Sequence, residues 1–255
     1  EMDALQNAYD DSGILDRKDM LMEEMAEPQF WQSDRKQDVL SQIEFFDRFA
    51  AAFDTAKKIM ERLEDPDKVR LEYDPSLLKK LAQKIYLLQW SLEAYQKEEP
   101  QDALLKVSFE KQNNKWGERI VGMYQNWAKH RKMGCTKVCE GKTKSEQFFV
   151  YRFSGFGAYA ILKREHGIHL KEMKSNNSRM IEKSRVRVTV LPLDSSEYHL
   201  VDQLGQSMGA VVAESKGKVV RRFNMDSKQC KDVASKWQTG RMDKVLKGLF
   251  DIMGG

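Results

Sequence analysis

The sequence predicts an α+β fold, with a helical N-terminal domain followed by a mixed α/β domain. Up to residue 100, apolar residues recur at the three- and four-residue spacings of amphipathic helices, whereas later segments alternate strictly, as strands do. The charge changes at the same place. Residues 1–110 have 15 Lys and Arg against 25 Asp and Glu (net −10), and residues 111–187 have 18 against 6 (net +12). We therefore place a domain boundary at Glu98-Glu99-Pro100.

Three helices are predicted in the N-terminal domain. The longest follows an N-cap at Ser33, and its apolar stripe is Val39, Ile43, Phe46, Ala50, Phe53, Met60 and Leu63. After a turn at Asp65-Pro66-Asp67, a second helix begins with Asp74 and Pro75, and its stripe is Leu78, Leu81, Ile85, Leu88, Leu92 and Tyr95. We expect these two to pack as an antiparallel, coiled-coil-like pair. Residues 3–26 are predicted to form a third helix, ending before Pro28.

The rest of the chain is predicted to alternate between strands and helices. The predicted strands are Leu104–Phe109, Gln147–Phe153 and Arg185–Leu191, the predicted helices are Trp116–Lys132, Tyr159–Glu165 and Arg241–Ile252, and Gly167-Ile168-His169 is predicted as a turn. In the strand at residues 185–191, three valines occupy one face, and Arg185, Arg187 and Thr189 occupy the other. A half-exposed sheet with a basic outer face is therefore expected.

The composition excludes several classes of protein. The mean hydropathy of −0.65 leaves no apolar run long enough for a transmembrane helix. Three cysteines are an odd number, which argues against a disulfide framework and fits a reducing compartment. We expect no metal or other cofactor, because the Cys135-x3-Cys139 spacing is wider than a zinc knuckle and has no second pair near it. Gly155-Phe156-Gly157 lacks the third glycine of a dinucleotide loop, and no histidine lies in a nucleophile motif, so no catalytic residue is predicted.

One segment, residues 163–187, is unusually basic. It contains three acidic residues and eight basic ones, namely Lys163, Arg164, Lys171, Lys174, Arg179, Lys183, Arg185 and Arg187. Such a charge density attracts phosphates through counterion release. Ser175, Asn176 and Asn177 within it supply donors and acceptors that suit base edges and ribose 2′-hydroxyls equally well. From the residues alone, RNA binding and a merely solvated charged face remain open as alternatives.

Four stretches of the chain carry a recognisable family pattern. They are Ala26–Trp31 (AEPQFW), Trp116–Ala128 (WGERIVGMYQNWA), Tyr159–His169 (YAILKREHGIH) and Val186–Pro192 (VRVTVLP). Together they resemble the class I peptide chain release factors, and the type-2 branch in particular. The resemblance implies a helical first domain at residues 1–100 and an α/β codon-recognition-like domain at residues 101–192.

Two motifs on which the release factors depend differ in this chain. The family's codon-reading Ser-Pro-Phe tripeptide is matched by Ser175-Asn176-Asn177, and Leu170 stands where the family has an arginine. The chain has no Gly-Gly-Gln, the motif that aims a glutamine amide at the tetrahedral intermediate of ester hydrolysis in the family; it has only Gly205-Gln206. We therefore expect neither codon reading nor peptidyl-tRNA hydrolysis, and no enzyme activity.

The spacing of the last motifs indicates how the hydrolytic domain was lost. Val220–Phe223, Lys231-Asp232, Trp237–Gly240 and Val245–Gly248 resemble the family's closing segment. Only 27 residues, 193–219, separate them from Pro192, where the family has its whole hydrolytic domain. We expect residues 193–219 to form a short linker that replaces the catalytic domain, and residues 220–255 to pack their helix back on the α/β domain.

A release factor with these losses resembles the plastid release-factor-like RNA-binding branch of land plants. This resemblance implies a protein of the chloroplast stroma, with its transit peptide absent from this chain, that binds single-stranded messenger RNA and protects it from nucleases. Within the basic segment we expect Arg185 and Arg187 to contact phosphates, Asn176 and Asn177 to read bases, and His169 to stack or hydrogen-bond.

Other interpretations of the resemblance remain open. One alternative is a non-hydrolytic regulator that occupies the ribosomal A site. Another is an active hydrolase, which the absence of Gly-Gly-Gln disfavours. The acidic helical domain could dock a protein partner, although acidic helix faces usually serve solvation. No membrane partner is expected.

Overall fold

A computed structural model of the chain describes residues 2–33, 35–64, 75–142, 146–155, 157–175, 180–210, 217–233 and 236–251. The chain divides into two units, one formed by residues 1–101 with 194–196 and the other by residues 102–193 with 197–255. In the described ranges, no helix has both the length and the apolar character needed to cross a membrane.

The first unit is helical. Its helices are α1 (Met2–Asp10), α2 (Ile14–Ala26), α3 (Lys36–Glu64) and α4 (Pro75–Gln96), and a short 3-10 turn lies at Phe30–Gln32. Helices α3 and α4 pack against each other, and Tyr95 at the end of α4 contacts Phe46 in the first half of α3, with ring centroids 5.4 Å apart. A contact between the end of one helix and the beginning of the other is what an antiparallel pair requires.

The helix predicted for residues 3–26 is interrupted. Gly13 has a φ of 67°, in the left-handed region that glycine adopts at little cost, and it separates α1 from α2. The predicted apolar stripes of α3 and α4 are largely buried, but Leu78 is 56% exposed because it lies in the first turn of α4. Helix α4 begins at Pro75 as expected, whereas Asp74 and the predicted turn at residues 65–67 lie outside the described residues.

Across the described residues, the second unit forms an eight-stranded sheet in the order β2-β3-β1-β5-β4-β6-β7-β8. The strands are β1 (Asp102–Glu110), β2 (Gly134–Lys142), β3 (Glu146–Ser154), β4 (Gly167–Lys174), β5 (Ile181–Leu193), β6 (Val219–Asn224), β7 (Gln229–Asp232) and β8 (Gln238–Thr239). Strands β4 and β6 are parallel, and the other neighbours are antiparallel. The helices of this unit are α5 (Asn114–Arg131), α6 (Ala158–Leu162), α7 (Val201–Ala210) and α8 (Met242–Leu246).

Helix α5 covers one face of the sheet, which we call the α5 face. Its Trp116 packs on Phe223 of β6, with centroids 4.9 Å apart, and its Trp127 packs on Phe153 of β3 at 5.9 Å. All four of these aromatic side chains are buried. The helix predicted at residues 116–132 therefore supplies much of the core of this unit.

Helix α7 packs on the other face, which we call the α7 face. Val201, Leu204 and Met208 recur at spacings of three and four, and they lie against Leu104 and Val150 of the sheet. The hydroxyl of Tyr198, in the 3-10 segment Ser195–Leu200, donates to Asp102 at 2.9 Å. Residues 193–219, expected as a plain linker, therefore include a helix that belongs to the core of the second unit.

Two local predictions were wrong. Gly167-Ile168-His169 is the beginning of β4 and not a turn, because these residues pair with β5 on one side and β6 on the other. The last helix ends at Leu246. Gly248 has a φ of 90°, and a Cβ there would lie 2.3 Å from the backbone nitrogen of Trp127, so the chain leaves the helical path where it crosses α5.

Candidate nucleic-acid interface

Strand β5 sorts its residues between the two faces of the sheet as the sequence predicts. Val186 and Val188 are fully buried on the α5 face, while the exposed Arg185 and the half-buried Arg187 lie on the α7 face. Lys183 is also exposed on the α7 face, because it lies two residues before Arg185. Three of the predicted RNA-binding residues are therefore neighbours on one surface.

Lys106 adds a buried positive charge to this surface. It lies on β1 opposite Thr189, beside Arg187, and its ammonium donates to the Met208 carbonyl of α7 at 2.9 Å. Burial lowers the pKa of Lys106; Glu146 and Cys139 oppose this shift, and the nearby Arg187 adds to it. Lys106 therefore anchors α7 and contributes to the positive potential beneath Arg187.

The sheet brings further basic residues beside Arg185. Arg185 pairs with Leu170 of β4, Leu170 pairs with Arg222 of β6, and Arg222 pairs with Lys231 of β7. Arg222 and Lys231 were missed at the sequence level because they lie outside the basic segment and reach it only through the parallel pairing of β4 with β6. The available signal was the basic pair at residues 221–222 within an apolar strand.

Other predicted residues lie elsewhere. Lys171 alternates onto the α5 face and is half-buried, and Lys174 is exposed at the end of β4, where its backbone N–H donates to Asp226 at 2.9 Å. Lys163 and Arg164 belong to a 3-10 turn before β4, with the Lys163 ammonium 5.8 Å from the Tyr159 ring centroid. The backbone N–H of Ser175 donates to the Met180 carbonyl at 3.0 Å. Three predicted residues, Asn176, Asn177 and Arg179, lie outside the described residues.

His169 does not face solvent, so its predicted stacking on RNA is corrected. The side chain has no exposed surface, since it lies on the α5 face between Tyr124 of α5 and Phe223 of β6. Its Nε2 is 3.1 Å from the Tyr124 hydroxyl. An RNA base would have to open the core to reach this ring.

The buried groups around His169 form a polar cluster of Tyr124, Glu165, His169 and Arg221. The Arg221 guanidinium donates to both carboxylate oxygens of Glu165, at 2.6 and 2.8 Å, and the Tyr124 hydroxyl donates to the same carboxylate at 3.1 Å. The sequence reasoning did not single out Glu165 or Arg221, although a glutamate four residues before a histidine was a visible signal.

The electrostatics of the cluster favour a fixed ion pair beside a neutral histidine. Burial acts to raise the pKa of Glu165, but Arg221 outweighs it, so the pKa is lowered overall. Burial lowers the pKa of His169 to about 4, although the Glu165 carboxylate opposes this shift. At neutral pH, Glu165 and Arg221 are therefore charged and paired while the imidazole is neutral, an arrangement that stabilises the core.

The cysteines and the Gly-Gln pair have packing roles. Cys135 and Cys139 lie on opposite faces of β2, and burial raises the pKa of the Cys135 thiol to about 11. Within the described ranges, no group of three or more His, Cys, Asp and Glu side chains is placed to hold a metal ion. Gly205 lies in α7, where a Cβ would meet the Val138 side chain at 2.5 Å, so close packing on β2 accounts for the glycine of Gly205-Gln206.

Comparisons with known proteins agree with this architecture. The family model described as the PCRF domain matches residues 14–171. No curated protein matches the chain significantly. Among solved structures, RF2 of Thermus thermophilus is similar, with a TM-score of 0.51 and 14% sequence identity over 94% of this chain and 93% of that one. At this identity the likeness to RF2 shows the fold alone. Because the PCRF match spans more than half of the sequence, the chain belongs to the PCRF-domain family, whose members are related to the class I release factors.

Proposed function

We propose that this protein binds single-stranded messenger RNA through the α7 face of its sheet and stabilises the transcript, without hydrolysing peptidyl-tRNA. The observation that carries the proposal is the grouping of Lys183, Arg185 and Arg187 on one face of β5. An RNA-bound protein protects its site because a nuclease cannot occupy the same stretch of backbone.

The chemistry of these side chains supports phosphate binding. Among the residues that the structure describes, the side chains of Arg185 and Lys183 have no hydrogen-bond or ion-pair partner, and both are exposed. A guanidinium presents several N–H donors that match phosphate oxygens, and each neutralised phosphate releases counterions. Binding should therefore weaken steeply as salt rises.

The departures from the release-factor motifs support the non-hydrolytic part of the proposal. Gly-Gly-Gln is absent from the sequence, and Asn176 and Asn177 replace the proline and phenylalanine of the codon-reading tripeptide. The proposed site of action, the chloroplast stroma, is supported by the resemblance of these losses to the plastid branch of the family.

Charge reversal on β5 tests the proposal. We expect Arg185→Glu/Arg187→Glu to weaken binding of labelled messenger at least about tenfold, and to reduce the slope of log affinity against log salt by about 1.4, since each phosphate contact on a single strand contributes about 0.7. The matched control is Arg119→Glu/Lys129→Glu, on the exposed side of α5. Wild-type affinity and slope in the β5 variant would refute the proposal.

A second function is favoured by one observation, the likeness of fold to RF2 over 94% of this chain, which includes the helical unit. The alternative is a factor that occupies the ribosomal A site without hydrolysis and regulates translation, with the acidic helical unit as a docking surface. Sedimentation separates the two functions, because an A-site factor migrates with intact ribosomes and leaves that fraction when the ribosomes are dissociated, whereas a messenger-binding protein migrates with free transcript. Stop-codon-dependent release of peptide would contradict both.

A further inference from the structure

We infer that the RNA crosses the strands of the sheet instead of following β5, along a row formed by Arg185, Arg222 and Lys231. This inference rests on the proposed RNA binding, and it adds the path and two residues on β6 and β7 that lie far from the basic segment in sequence. The row is defined by strand register: Arg185 and Arg222 both pair with Leu170, and Lys231 pairs with Arg222.

The dimensions of the row suit a short run of nucleotides. Three strand-to-strand steps of ~4.8 Å separate β5 from β7, which gives a row about 14 Å long. One strand of a stacked helix has a phosphate every ~3.4 Å along its axis, so a strand stacked in this way covers the row with about four nucleotides. Three cations at these intervals therefore contact phosphates within one short segment of backbone.

The charges along the row are arranged for an anionic ligand. Arg222 is paired with Glu172, whose carboxylate lies 3.2 Å from one guanidinium nitrogen, yet its side chain is 46% exposed, so other N–H donors face solvent. For Lys231, which is exposed, the described residues provide no partner. Leu170, at the centre of the row, is only 5% exposed. The groups accessible at this point are therefore the charged ends of the basic side chains and not an apolar patch.

Helix α7 does not extend over this part of the sheet, although Gly217, which follows it in the chain, lies against Ile168 and the Arg187 guanidinium. It packs mainly on β2, β3 and β1, at the other end of the α7 face. The strands that carry the row, β5, β4, β6 and β7, lie next to one another in the sheet order. The basic row therefore begins where the cover of α7 ends.

The surroundings of the row favour a single strand over a duplex. On the same face of β5, the side chain of Ile181 is 58% exposed, and it lies four residues, or about 13 Å, from Arg185. Unpaired bases can place their faces on such apolar side chains, whereas the bases of a duplex are stacked inside the helix. The charged row thus suits the backbone, and the exposed Ile181 side chain about 13 Å from it suits an unpaired base.

Neutral substitutions in the row test the path with a short fluorescent oligouridylate. We expect Arg222→Gln/Lys231→Gln to bind about tenfold more weakly and to reduce the salt slope by about 1.4, because two phosphate contacts are lost. Glu172→Gln should bind about threefold more tightly, the size of a surface charge interaction, because it removes a carboxylate that competes for Arg222. The matched control, Arg119→Gln/Lys129→Gln on α5, should match the wild type.

The outcomes separate this inference from the proposed function. If charge reversal at Arg185 and Arg187 abolishes binding but Arg222→Gln/Lys231→Gln behaves like the α5 control, the cross-strand path is wrong and RNA binding stands. If charge reversal on β5 has no effect, the proposed function fails first. If Glu172→Gln and Arg222→Gln weaken binding equally, their ion pair serves only the structure of the sheet, which also overturns the path.

Discussion

Arg221 and Glu165 form a two-point ion pair inside the second unit, with guanidinium nitrogens 2.6 and 2.8 Å from the two carboxylate oxygens. Glu165 ends the 3-10 turn that leads into β4, and Arg221 lies on β6. The pair therefore joins the start of β4 to the parallel strand beside it. The next residue on β6, Arg222, points to the other face and forms a surface pair with Glu172. Adjacent arginines therefore have different roles, one within the core and one at the proposed RNA surface.

The two arginines should differ sharply in their effect on stability. We expect Arg221→Met to lower the free energy of unfolding by about 3–5 kcal/mol, because it leaves the Glu165 carboxylate charged and buried without its partner. Arg222→Gln is the control and should cost at most about 1 kcal/mol, since its pair with Glu172 is exposed to solvent. Urea unfolding followed by circular dichroism measures both. Equal losses of unfolding free energy in the two variants would show that the buried pair stabilises the fold no more than the surface pair does.

The buried imidazole of His169 predicts a pH dependence of stability. Its pKa is lowered from 6.5 to about 4 in the folded protein, chiefly by burial. Between these values the unfolded chain binds a proton at His169 that the folded chain does not, so the free energy of unfolding should fall by about 3 kcal/mol as the pH drops from about 6.5 to about 4. The measurement is urea unfolding across this range, with His169→Gln for comparison.

The His169→Gln variant isolates this effect from the carboxylates. Glu165 also has a lowered pKa in the folded state, so its contribution is lost too as the pH falls, but at lower pH than that of His169. The difference in the free energy of unfolding between wild type and variant should therefore change with pH mainly between pH 6.5 and pH 4. Parallel pH profiles for the two proteins would contradict a neutral, buried His169.

Substituting alanine for each of two glycines should change the stability of the protein in opposite directions. Gly167, at the start of β4, has a φ of 147°, and a Cβ there would lie 2.6 Å from the backbone oxygen of Lys218. We expect Gly167→Ala to destabilise the protein by about 1–3 kcal/mol, through backbone strain and the clash with the chain that leads into β6. Gly122, within α5, has open space around its Cβ position, so Gly122→Ala should stabilise by about 0.5–1 kcal/mol. Thermal unfolding of both variants checks the contrast, and a stabilising Gly167→Ala would contradict the described backbone.

Several elements could be predicted from the sequence because their patterns are local. The alternation of Val186, Val188 and Val190 with Arg185 and Arg187 predicts strand β5 and its basic face, and both are confirmed. Pro75 marks the first residue of α4 for an equally local reason, since proline lacks the N–H that a first turn leaves unpaired. The contribution of Gly13 was missed, because a helical stripe does not show whether a glycine within it takes a left-handed conformation.

The candidate site was predicted only in part. The residues on β5 were found, but His169 was placed on the surface because a basic segment was read as a single exposed stretch. In the structure that segment includes β4, whose side chains alternate between the core and the α7 face. Residues 193–219 were predicted as a linker because only 27 residues lie where the family has its hydrolytic domain. That count does not show that Val201, Leu204 and Met208 form a helical stripe that packs on the sheet.

By itself, the sequence determined the helical first unit, the three predicted strands of the sheet, the segregation of charge and the resemblance to release factors, because each depends on residues close together in the chain. Only the tertiary structure decided that β4 and β6 run side by side. That pairing joins residues about fifty positions apart, and no local pattern encodes it. It buries His169 with Glu165 and Arg221 on one face, and on the other it brings Arg222 and Lys231 into line with Arg185.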